Sequence, residues 1–135
     1  MNAKEKAKLL HFDTWCGRKI LCNDAKRERD RCAPGTAMYA MNDKKYKRFL
    51  SECERLDLIT SRSNLRPCEE RAFRLRYECG KSVRGVTAAM QISTVGDETY
   101  SERTVLRYIN AAIEKIWANI GVDTKKAIED DKRKD

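Results

Sequence analysis

From residue 101 the chain reads SERTVLRYINAAIEKIWANI, in which Val105, Ile109, Ala112, Ile113, Ile116 and Ile120 recur at three- and four-residue steps. That period puts one apolar stripe on an α-helix. Ser101 is placed to cap its start and Gly121 to stop it. Upstream, RPCEERAFRLRYECG has Pro67 at a helix start, Glu69 and Glu70 in the first turn and Gly80 as a terminator. Ala72, Phe73, Leu75 and Cys79 form its apolar stripe. Ser82 then caps VRGVTAAMQI, with Val83, Val86, Ala89, Met90 and Ile92 expected inward. Residues 93–100, STVGDETY, read as an eight-residue loop turning at Gly96-Asp97.

The first half is less periodic. Residues 1–12 suggest a short basic helix. Residues 24–32 form a charge-dense helical face, with Asn23 or Asp24 available as its cap, and Pro34-Gly35 break the chain after it. Over 37–59, Met38, Met41, Tyr46, Phe49, Leu50, Cys53, Leu56 and Ile59 recover the helical period, and Asn42-Asp43 is a candidate cap for a separate helix from Lys44. Residues 60–64, TSRSN, are the candidate linker. The chain thus divides into a basic helical region 1–62, a helical domain 63–121 and a charged tail 122–135. The expected fold is all-α, a small helical bundle, with both Trp15 and Trp117 packed in it.

Composition sharpens this picture. Gly (six) and Pro (two) are too scarce for an all-β chain with its frequent turns. Lys plus Arg is 29 against 21 Asp plus Glu, for a net charge of +8, and residues 1–62 carry 15 of the bases against 9 acids. Such a balance suits a polyanionic partner. Lys44, Lys45, Lys47 and Arg48 are candidate phosphate-attracting residues, although a solvated helix face is the simpler explanation of them. No apolar run approaches 18 residues and no leader pattern opens the chain, so a cytoplasmic protein without membrane contact is expected. The six cysteines are then thiols, not a disulfide framework. His11, Cys16, Cys22 and Cys32 are close in sequence, yet their spacings match no common zinc site, so neither metal nor other cofactor is expected. Cys53, Cys68 and Cys79 read as small buried apolar residues.

Two helices in quick succession, the second opening on a capped polar turn, suit a helix-turn-helix. In that motif the second helix enters the major groove tip first. Its exposed amides also bind phosphate. Ser101 would cap, Glu102, Arg103 and Thr104 would occupy the first turn, and Arg107 would follow one turn later. Arginine donates twice to guanine and glutamate accepts from cytosine.

The run LRPCEERAFRLRYECGKSVRGVTAAMQIS, followed by YSERTVLRYINAAIEKI, resembles region 4 of bacterial sigma factors. It is also similar to phage late-transcription activators of the ArpU and RinA type, which share a sigma-like helix-turn-helix. The likeness spans about residues 63–121. It implies DNA contact by Ser101, Arg103, Thr104 and Arg107, a backbone contact by Arg84 and base reading by Glu102. The eight-residue turn departs from the three or four residues usual in that family.

The function expected on these grounds is a DNA-binding transcription regulator, phage- or prophage-encoded, that helps recruit host RNA polymerase in the bacterial cytoplasm. It would act on double-stranded DNA as a monomer or homodimer. Two other readings stand beside it: a small terminase subunit for DNA packaging, and a polymerase-binding module that touches no DNA. An enzyme is not expected. His11 is the one histidine, and neither a glycine-rich phosphate loop nor a His-Glu metal helix occurs.

Overall fold

The computed structural model describes residues 1–92 and 99–120. Among these, every regular element is helical. In chain order they are α1 (Ala3–Leu9), a 3₁₀ turn (Phe12–Thr14), α2 (Trp15–Asp30), α3 (Ala37–Ser61), α4 (Pro67–Tyr77), α5 (Val83–Ile92) and α6 (Glu102–Asn119). The expected all-α class is therefore what the described residues form.

Two packing units share one base. The long helices α2 and α3 lie against each other as a hairpin, while α4, α5 and α1 gather around α6. The main core takes Ala7, Leu10, Phe12, Trp15 and Leu56 from the first half of the chain, and Ala72, Phe73, Val86, Met90, Val105, Ile109, Ala112, Ile113 and Ile116 from the second. It thus crosses the polar stretch at 60–64. That stretch is itself packed. Thr60 and Ser63 are buried, and their hydroxyls donate to the carbonyls of Leu56 and Ile59 at 2.8 and 2.6 Å. Polar composition there reflects satisfied hydroxyls as well as solvent.

At the centre, Phe12 meets Phe73 edge-on at 4.9 Å, and Trp15 lies 5.7 Å from Phe12 and 6.4 Å from Phe73. These rings explain why α2 begins at Trp15. The expectation of a helix capped at Asn23 or Asp24 is corrected accordingly: both residues lie inside α2, whose first residue is anchored in the core.

The separate helix from Lys44 is also corrected. Thr36 is the cap that matters, accepting from the Tyr39 amide at 3.2 Å, and α3 runs on through Asn42 and Asp43. Those two side chains are turned across the hairpin. Asn42 donates to Cys32 Sγ at 3.7 Å, and Asp43 accepts from Arg29 at 2.9 Å while pairing with Lys47 at 2.9 Å. Engaged there, they do not compete for their own backbone, which is how such residues interrupt helices.

Arg74 joins the two units. Its guanidinium pairs with Asp57 of α3 at 2.7 Å and with Glu70 and Glu78 of its own helix, donates to Ser61, and lies 5.6 Å from the Trp15 ring. Gly80 ends α4 at φ 72°, and a Cβ there would stand 2.7 Å from Cys16 Sγ. The left-handed backbone favours glycine, and any side chain there would also force Cys16 of α2 to shift.

Other expectations need correcting. Cys79 is exposed beyond the end of α4, although it continues the helical period in sequence. Ile92, at the last position of α5, is 86 % exposed. The turn at Gly96-Asp97, the stop at Gly121 and the tail 122–135 lie outside the described residues.

Candidate nucleic-acid interface

Helix α6 holds its position through its apolar side. Val105, Ile109, Ala112, Ile113 and Ile116 are all buried, and Ile120 packs against the same core half-covered. Since 100° separates successive residues, the opposite face carries Arg103, Arg107, Asn110 and Glu114, all of them exposed. On the α1 side, Lys6 reaches Glu114 at 2.7 Å and stands 5.9 Å from the ring of Trp117, which is half-buried against the core. On the α4 side, Lys115 pairs with buried Glu69. Burial pushes the Glu69 carboxyl up, but Lys115 and the Arg66 amide outweigh it and hold the group below its usual value. The helix is thereby fixed in rotation.

Its N-terminus is built as the residue types suggest. Ser101 has extended backbone and its Oγ accepts from the Thr104 amide at 3.1 Å, a standard cap. Ser101, Glu102 and Arg103 are exposed. Thr104 is half-covered and its Oγ1 accepts from Ser101 Oγ at 3.0 Å, so its hydroxyl is already engaged within the cap. Just before the helix, the Tyr100 amide donates to Gln91 of α5 at 2.7 Å, and the Tyr100 ring meets Tyr108 edge-on at 6.3 Å. These two contacts set where α6 begins relative to the end of α5.

Helix α5 packs on both α4 and α6 through Val86 and Met90. Ser82 caps it by accepting from the Gly85 amide at 3.1 Å, as its place before the helix suggests. Arg84, in the first turn, is exposed. Of the six candidate contact residues, five present open side chains and Thr104 a partly covered one.

Beside the outer face of α6 lies a cleft of about 480 Å³ that local sequence patterns do not reveal. Tyr77, Val83, Leu106 and Ile109 form its apolar lining, and Lys4, Lys8, Arg76, Asp13 and Asn110 add polar groups. Leu106 and Asn110 follow from the helical spacing, being three and seven residues beyond Arg103. Lys4 and Lys8 come from about one hundred residues away, and only the packing of α1 on α6 brings them here.

The cysteines are scattered. Cys22 is buried inside the hairpin, and Cys32 Sγ donates to the Glu28 carbonyl at 3.2 Å. Burial pushes the thiols of Cys22 and Cys53 above their usual value, which makes them poorer ligands and nucleophiles. Among the described residues, no group of three His, Cys, Asp or Glu is placed to hold a metal ion. His11, with φ 68°, borders a pocket of about 190 Å³ shared with Thr14, Arg18, Glu52, Arg55 and Leu56. No described helix is long and apolar enough to cross a membrane.

Comparison with protein-family models, with curated proteins and with solved structures returns no match.

Proposed function

We propose that the protein is a sequence-specific DNA-binding regulator of transcription whose α5 and α6 act as a sigma-like helix-turn-helix. The observation that carries this reading is the split of α6. Its buried side is entirely apolar, while the tip and outer face expose Ser101, Glu102, Arg103 and Arg107. A groove-reading helix needs this division, because side chains that meet base edges must be free of the body that positions them. A net charge of +8 supports a polyanionic partner.

In this reading Arg103 and Arg107 donate to base edges, Glu102 accepts, and the capped end at Ser101 and Thr104 lies against a phosphate. Arg84 meets the backbone from α5. The sequence resemblance of residues 63–121 extends the reading to a phage or prophage activator that helps recruit host RNA polymerase.

Selection of bound sequences from a random duplex pool tests it. A recurring motif is expected, and loss of that preference on Arg103→Ala or Arg107→Ala, at roughly 1–3 kcal/mol each. Recovery of no motif, with salt-insensitive binding to duplex, would leave a protein-docking module instead. Assembly into a ring of many copies would favour DNA packaging.

A further inference from the structure

We infer that α1 is a second DNA-contacting element, in which Lys4 and Lys8 take phosphates of the same duplex that α6 reads. The inference rests on the DNA-binding reading above and adds residues that the α5–α6 pair does not contain.

The three lysines of α1 that flank its buried Ala7 have different surroundings. Lys6 is committed, through Glu114 and Trp117, to holding α1 on α6. Lys4 and Lys8 are exposed, and neither forms an ion pair among the described residues. They are four apart and so share a face of the helix. That face borders the cleft that Leu106 and Asn110 of α6 also line. Both of those residues are exposed and interleave with Arg103 and Arg107 along α6. A duplex engaged by the outer face of α6 therefore brings one of its strands to the side where Lys4 and Lys8 stand.

The third cation at the cleft, Arg76, donates to the Lys81 carbonyl at 3.0 Å and lies 5.5 Å from the Tyr77 ring. Among the described residues, Asp13 is the single carboxylate in the lining. Three cations facing one anion leave an excess that a polyanion satisfies. Phosphate contacts of this kind position a protein on DNA without reading sequence. The half-exposed side chain of Leu106 gives a sugar face something apolar to rest on.

The test is salt-dependent binding of the full chain to a labelled duplex, measured by fluorescence anisotropy. Lys4→Gln with Lys8→Gln is expected to reduce the slope of log affinity against log salt by about 1.8, since each phosphate left without its lysine removes roughly 0.9. Affinity should fall equally for preferred and scrambled duplexes, with an unchanged melting temperature. Lys26→Gln, at an exposed lysine of α2 on the hairpin, is the control: it should leave both the melting temperature and the slope alone. If the double variant keeps the wild-type slope while Arg103→Ala weakens binding, the role of α1 is overturned and the α6 reading stands. If the wild type binds no duplex at any salt, both fall. If the double variant keeps duplex binding and loses an acidic peptide carrying an apolar anchor, the cleft belongs to a protein partner and the inference is overturned.

Discussion

The α2–α3 hairpin and the body built around α6 are both helical, but they hold together by different means. Above its base, the hairpin encloses a small cluster of Cys22, Ala25 and Phe49, flanked by Tyr46 and Leu50. Charged groups do much of the remaining joining. Arg29 pairs with Asp43 and lies 4.7 Å from the Tyr46 ring, and Arg18 pairs with Glu52 and lies 5.7 Å from the Phe49 ring. The body instead buries whole apolar side chains: Phe12, Trp15, Phe73, Val86, Val105, Ile113 and Ile116 are all within 2 % of full burial. Burial of apolar area is the larger and less salt-sensitive source of stability. The body is therefore suited to hold α6 rigidly. The hairpin, with Ile20, Leu21, Met38 and Met41 exposed along it, is an appendage tied in by Trp15, Leu56 and Arg74.

Phe73→Ala should have the largest effect. It removes a fully buried ring at the centre of the body and should destabilise the fold by about 3–5 kcal/mol in chemical denaturation. A loss as small as that of an exposed residue would mean that the body is not the dominant unit. Arg74→Ala should come next, at roughly 1.5–3 kcal/mol, because it strips charged hydrogen bonds from Asp57, Glu70 and Glu78. Hydrogen exchange should then quicken in α3 more than in α6, since Arg74 bridges the two units. Equal acceleration in both helices would show one undivided cooperative unit.

The two caps offer a finer comparison. Thr36→Ala in the hairpin and Ser101→Ala in the body should each cost about 1 kcal/mol. The Ser101 variant alone should weaken duplex binding, because it disturbs the tip of α6. If Thr36→Ala weakens binding equally, the difference in roles between the regions disappears.

The smallest effect is expected from acid. Lys47 and Arg29 hold the Asp43 carboxyl below its usual value against the opposing effect of burial. Its contribution is thus present above the unfolded carboxylate pKa, about 3.9, and is lost as pH falls through the lower folded value. Glu69 behaves in the same sense in the body. An acid titration followed by hydrogen exchange should release the hairpin first, since it has less apolar burial in reserve. High salt should bring the same order. Simultaneous release would mean that the two regions do not differ in what holds them.

Much of the body is legible in the residues. The stripe on α6 can be read position by position, because a helix buried along one side must repeat every three or four residues. Ser82 and Ser101 are recognisable as caps, and Gly80 as a terminator, because each acts within a few residues of itself. The hairpin is harder to read. Its cap-like Asn42 and Asp43 are bonded across to residues 29 and 32, and its Trp15 start depends on rings contributed by the 3₁₀ turn and α4. No local rule distinguishes such side chains from true helix ends. Cys79 and Ile92 fit the apolar period but sit at or beyond helix ends, and both are exposed there.

The helical class, the buried stripe of α6 and the capped polar tip at Ser101 follow from residue spacing and short-range hydrogen bonding alone. It takes long-range packing to lay α1 against α6, to engage Lys6 with Glu114 while Lys4 and Lys8 face a cleft, and to run one core across residues 60–64. Those outcomes depend on which apolar faces meet, and that choice is made between residues up to about a hundred positions apart, where periodicity and capping carry no information.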